Sequence, residues 1–147
     1  MAAGDLTVFE EFAAQLGSEN HSLNNDDTLK LALVTDVLTP LATASAVWAT
    51  FSGNEVATGG NYVAGGKALT SVTYTEAAGV ATLDAADFEM TQQAGGFTNA
   101  RWAIIYNDDN ATDMAICFID LGGDVSEVDG PIAIRFDASG ILTVTVS

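Results

Sequence analysis

With 147 residues the chain has the length of one domain with a core of its own, and 48% hydrophobic against 16% charged residues excludes a disordered polymer. Twenty acidic residues stand against four basic ones, Lys30, Lys67, Arg101 and Arg135, for a formal charge of -16. Such a surface repels phosphate backbones and anionic headgroups, so nucleic acid and membranes are not expected partners.

The first predicted element is a helix. In "GDLTVFEEFAAQLG", Leu6, Phe9, Phe12 and Leu16 recur at three-to-four spacing, Thr7 and Glu10 have the spacing of a capping box, and Gly17 ends the pattern. A stripe this short must dock on its own sheet or on a neighbouring subunit. The polar run "SENHSLNNDD" behind it reads as a loop that gives the helix freedom, which makes Leu6, Phe9, Phe12 and Leu16 candidate partner-contact residues. Residues 1–27 form this helix and loop in the reading, and 28–147 a β domain, one domain overall.

From Thr28 onward the pattern turns to period two and β-branched residues. "TLKLALVT" is a strand, and Pro40 ends the short "VLT" run after it. "TASAVWATFSGNEV" fits neither period and reads as a loop with a helical turn. "ALTSVTYT" and "GVATLDA" read as strands joined across "EAAG". "ARWAIIYND" places Trp102, Ile104 and Tyr106 on one face and Ala103 and Ile105 on the other, and "DMAICFIDL", apolar on both faces, reads as a central strand. Cys117 lies inside that run, as a buried small hydrophobe rather than a reactive thiol. The last pair, "PIAIRFD" and "ILTVTVS" around "ASG", reads as a hairpin with Ile132, Ile134, Phe136, Leu142, Val144 and Val146 on one apolar face. Six or more short strands at this spacing predict a mainly β fold, an antiparallel β-sandwich with one short N-terminal helix.

Chemistry is sparse. "GGNYVAGGKALTS", residues 59–71, looks at first like a phosphate loop, but that motif needs Gly five residues before the Gly-Lys pair and Ser or Thr after it, where this chain has Asn61 and Ala68. A strand pattern comes next where the motif needs a helix N-terminus. One His and one Cys far apart in sequence do not make a zinc site of the usual kinds, and neither "YNDDNATD" nor "SENHSLNNDD" has the spacing of a calcium loop. His21, the single histidine, has Ser18 and Ser22 nearby, but neighbours in sequence do not make a triad. With so few convergent groups the reading is not an enzyme, with no catalytic residue, metal or cofactor assigned.

Taken in order, several segments resemble a family of small β-rich virion structural proteins of tailed bacteriophages. They are "VFEEFAAQLGSENHSLNNDDTLKLALVTDVLTP", "GNEVATGGNYVAGGKALT", "TLDAADFEM", "ARWAIIYND" and "FIDLGGDVSEVDGPIAIRFDASGILTV", spanning roughly residues 8 to 144. The Gly-Tyr-x-Ala-Gly-Gly-Lys-x-Leu element falls at Gly60 to Leu69, with Asn61 as an extra residue before Tyr62. The resemblance implies virion assembly, as a decoration or cement protein on the outer head or as a tail or fibre component. Its implied partners are the major capsid protein and further copies of the chain, and its implied location is the virion. A carbohydrate-binding module is the remaining alternative. Lys67 becomes a local ion-pairing residue in this view.

Overall fold

The computed structural model describes residues 4–24 and 26–146. The fold is mostly β and antiparallel throughout, as a β-sandwich-like arrangement requires. A five-stranded sheet has the order β1-β8-β7-β2-β3, from β1 (Leu6–Val8), β2 (Leu29–Val34), β3 (Lys67–Ala68), β7 (Ala100–Asn107) and β8 (Ala115–Val125). A three-stranded sheet, β10-β5-β4, is built from β4 (Thr73–Ala77), β5 (Val80–Asp84) and β10 (Leu142–Thr145). The third sheet pairs β6 (Phe88–Met90) with β9 (Ile132–Ile134). Two short helices, α1 (Phe12–Gly17) and α2 (Trp48–Phe51), complete the fold with a 3-10 turn at Ser52–Asn54.

Period-two patterning explains why the large sheet lies in the middle. Leu29, Leu31 and Leu33 of β2, with Ala103 and Ile105 of β7, face one core, shared with Leu83, Phe88, Met90, Ile132, Ile134 and Leu142 from the smaller sheets. Ala32 and Val34 of β2, with Trp102, Ile104 and Tyr106 of β7, face a second core, roofed by Phe9, Ala46, Trp48 and Phe51. Strands covered on both sides carry apolar residues on both faces, which is why β2, β7 and β8 stand out in the sequence. The ladder between β7 and β8 shifts register after the Ile105–Cys117 pair, where Tyr106 next pairs with Ala115. Ile116 is the extra residue of this bulge, and it joins Cys117 in the first core.

Two expectations are corrected. The first predicted helix begins as a strand: Leu6, Thr7 and Val8 pair with Ile119, Phe118 and Cys117 along the outer side of β8. Thr7 and Val8 are β-branched, and pairing with a buried strand outweighs a weak helical period. The capping box does not form, since the helix starts at Phe12 with Glu11 at its cap and no side-chain cap bond. Glu11 instead accepts the Ala46 N–H at 2.9 Å, tying the helix to the roof of the second core.

The terminal hairpin is the second correction. β9 pairs with β6, through Ile132–Met90 and Ile134–Phe88, while β10 pairs with β5, from Leu142–Leu83 to Thr145–Val80. Asp137 accepts the Ser139 N–H at 2.8 Å and its hydroxyl at 2.6 Å, turning the chain between them. Gly140 then takes a positive φ of 97° and presses against β5, where a Cβ would stand 2.8 Å from the Leu83 carbonyl oxygen. The Ile141 N–H donates to that same carbonyl at 2.7 Å, so the strand is delivered to β5 rather than folded back on β9. Ile132, Ile134 and Leu142 are buried, but Phe136 is half-buried and Val146 is 82% exposed.

Candidate functional site

The glycine-rich element is a latch between loops and sheet. Gly59 and Tyr62 exchange backbone hydrogen bonds at 2.9 and 3.1 Å, closing a turn that aims the Tyr62 ring inward against Phe97. The Tyr62 hydroxyl accepts the Leu33 N–H at 2.9 Å and donates to Glu55 Oε1 at 2.7 Å. Glu55 Oε1 also accepts the Gly65 N–H at 2.7 Å, and Tyr106 donates its hydroxyl to the Gly65 carbonyl at 2.6 Å. Gly66 lies directly on β2 with φ of +83°; a Cβ there would stand 2.7 Å from the Leu31 carbonyl carbon and 2.8 Å from Ala32 Cα. Backbone contact with β2 is what the Gly-Gly pair makes possible.

Two phenols and a carboxylate therefore converge, but as structure. Tyr62 is held well above the ordinary tyrosine range by burial first, opposed by the Leu33 bond and reinforced by Glu55. Burial likewise raises Tyr106, with Asp108, Asp113 and Glu55 adding to it. Both phenols stay protonated at physiological pH and serve here as hydrogen-bonding groups. Lys67 sits over the Phe88 ring, 5.9 Å from its centroid, and not at a cradle of backbone N–H groups.

On the far side of the element the Asn61 N–H donates to Glu127 Oε1 at 3.0 Å, and Asn61 Nδ2 donates to the Thr91 carbonyl at 3.0 Å. Glu127 is fully buried, and its Oε2 has no hydrogen-bond partner. Gly60 and Gly96 close over that oxygen, where any Cβ would overlap it. The carboxylate thus ties its own loop to the Gly60–Asn61 turn and packs under Gly96.

His21 and Leu23 are the buried residues of an otherwise largely exposed loop, and hydrogen bonds hold the imidazole in place. Asn107 Nδ2, at the end of β7, stands within hydrogen-bond distance of Asp27, of the Asn20 carbonyl at 3.2 Å and of His21 Nδ1 at 3.2 Å, three neighbours that share its two hydrogens. Gln15 of α1 lies across the ring, with Oε1 2.9 Å from His21 Nε2. The Phe12 ring stands 5.5 Å from the imidazole, centroid to centroid. Ser18 and Ser22 do not complete a triad: the Ser22 hydroxyl is directed at Asn24 and Asp26.

The partner-contact candidates are largely turned inward. Phe9 lies in the second core and Phe12 in the first, both buried, while Leu6 and Leu16 are half-buried against the first. The Cys117 thiol is buried and pushed above its ordinary range by burial. Asp108 pairs with Lys30 at 2.8 Å and Asp109 accepts the Thr28 N–H, so the acidic turn is engaged in local bonds. Among the described residues no group of three or more His, Cys, Asp or Glu side chains is placed to hold a metal ion. An open groove of about 380 Å³ runs between β1, β8 and the 133–141 segment, lined by Leu6, Ile119, Ile134, Phe136 and the charged Asp120 and Arg135 among others. Sequence reasoning did not find Glu55, Gln15, Asn107 or Glu127, because each acquires its role through contacts between residues distant in the chain.

No family model, curated protein or solved structure matches the chain.

Proposed function

We propose that this chain is a structural protein of a tailed-phage virion, placed on the outer head surface as a decoration or cement protein. It is not an enzyme in this reading, and its partners are the major capsid protein and other copies of itself. The carrying observation is the distribution of charge. Of four basic side chains, Lys30, Arg101 and Arg135 are paired with Asp108, Asp120 and Asp87, and Lys67 lies over Phe88. Most of the 20 carboxylates are exposed, and four basic side chains are too few to neutralise them. Such an exterior is repelled by a packaged genome and discourages adhesion between particles.

The inward use of the glycine-rich element supports the same reading. The glycine-rich element serves as an internal latch, and its tyrosine and glycines are engaged in fold-stabilising contacts with Glu55, Glu127 and β2. That role suits a building block better than a binding loop.

The deciding experiment is quantification of this chain against the major capsid protein in purified particles. A copy number comparable to that of the capsid protein is expected. A count smaller by one or two orders of magnitude would place the chain in the tail, and absence from particles would overturn the virion reading altogether.

A further inference from the structure

We infer that His21 is a pH-operated latch, holding α1 and the loop residues beside the ring against the end of β7 while neutral and releasing them when it takes up a proton. The inference rests on hydrogen-bond geometry and does not depend on where the protein is assembled.

Both amides that face the ring are oriented by other partners. Asn107 Oδ1 accepts the Asp109 N–H at 3.0 Å, so its NH₂ is the end that faces His21 Nδ1, together with Asp27 and the Asn20 carbonyl. Gln15 Nε2 donates to the Ala46 carbonyl at 3.3 Å, so Gln15 Oε1 must point toward His21 Nε2. The ring can satisfy both only as the neutral tautomer with its proton on Nε2, donating to Gln15 and accepting from Asn107. A second proton on Nδ1 would point at the Asn107 amide nitrogen, which offers no lone pair, and would lack an acceptor there. Neither amide can flip to relieve this without losing its backbone partner.

The electrostatic surroundings leave this conflict in control. From α1 the ring meets the neutral Gln15 and Phe12, and from β7 the neutral Asn107. In its own loop Asp27 is the one charged group acting on it, while Asp26 bonds the Ser22 hydroxyl. On the adjoining β7–β8 turn, Asp108 and Asp109 are turned to Lys30 and to the Thr28 N–H. Burial lowers the His21 pKa below its ordinary value of 6.5, and Asp27 opposes that shift without reversing it. The open state therefore binds the proton more tightly than the closed state. Closure is fully favoured above the ordinary value, and is progressively lost as pH falls from there toward the lowered folded value.

Opening would uncover Phe12, which is 4% exposed, along with Leu23 of the loop, also 4% exposed. The large sheet has its own ladders and would remain.

His21 is the only histidine in the chain, so its imidazole Cε1–H resonance reports the titration without assignment ambiguity. The experiment tracks that resonance, with amide hydrogen exchange corrected for intrinsic rate, between about pH 7.5 and pH 5. Expected is a ring titrating below 6.5, with exchange at Phe12–Gly17 and the loop accelerating by up to about tenfold per pH unit within the window, and exchange at Ile104 and Ile105 unchanged. His21→Gln, which carries no titrating proton, should remove the pH dependence of α1 exchange. Wild-type protein that titrates at the ordinary value with constant α1 protection would overturn the latch. So would a folded His21→Gln protein with wild-type pH dependence, since carboxylates such as Asp27 would then be responsible. Should the variant not fold, the wild-type titration and exchange decide the matter by themselves.

Discussion

In the segment that most resembles a phosphate loop, the residue that matters most to the fold is a glycine and not the lysine. Lys67 is half-buried with its ammonium over Phe88, so Lys67→Ala should lower stability by no more than about 1 kcal/mol. Gly66 has a positive φ and lies against β2 backbone that cannot move aside, so Gly66→Ala should cost about 3 kcal/mol or more. Urea denaturation of the two variants tests the order; a lysine variant less stable than the glycine variant would contradict the latch. Asp120 sets a second expectation. It is buried against Arg101, whose hydrogen bond holds its carboxyl below the ordinary range, with the Gly122 N–H helping. A depressed carboxylate contributes stability present above the ordinary value near 3.8 and lost as pH falls through the lower folded value. Asp120→Asn should therefore be less stable at neutral pH and show a shallower acid-induced loss below about pH 4. Acid titrations that fall in parallel for both proteins would assign the loss to other groups.

Elements were legible where burial is two-sided and illegible where pairing is a choice between distant partners. β2, β7 and β8 carry apolar residues on both faces, and alternation assigns the apolar residues of Leu29–Val34 and Trp102–Tyr106 to the right cores, whereas the bulge at Ile116 breaks it in β8. The β4–β5 hairpin was readable because its partners are joined by the two residues Ala78 and Gly79. In contrast, "LTV" at the start of the chain pairs with a strand more than a hundred residues away, and no local pattern reports that β8 has a side waiting for it. The C-terminal strands misled in the same way: "PIAIRFD" and "ILTVTVS" are suitable hairpin arms, but Gly140 and the Asp137 turn commit them to different sheets. Of the candidate site, the failure of the phosphate motif was legible and the buried polar network was not. These corrections change what truncation should do. With β1 in the sheet and Phe9 and Phe12 in the cores, removing residues 1–17 should yield protein that aggregates or lacks a cooperative melt. A truncated protein that melts cooperatively would restore the picture of a free arm. Phe12→Ala should cost about 3 to 5 kcal/mol, whereas Phe136→Ala, at a half-buried site, should cost about 1 to 2 kcal/mol.

For the whole molecule the dominant long-range force is self-repulsion. The formal charge is -16, and the described ion pairs occupy three of the four cations, so negative charge predominates over the surface. Unfolding moves these charges apart, which means that repulsion lowers folded stability by an amount that depends on screening. At about 10 mM salt the Debye length is about 30 Å and carboxylates repel over much of the molecule; at about 150 mM it is about 8 Å and only near neighbours are felt. Salt also weakens the exposed ion pairs, but Lys30–Asp108 and Arg135–Asp87 lie at the surface, where each contributes at most about 1 kcal/mol. The Arg101–Asp120 pair has its carboxylate buried and is screened least. The repulsive contribution is therefore the larger one lost on adding salt, and the melting temperature should rise from low to physiological ionic strength. Differential scanning calorimetry at neutral pH over that range checks the sign. A melting temperature that falls with salt would mean that attractive pairs outweigh repulsion, and that the acidic exterior is not net repulsive.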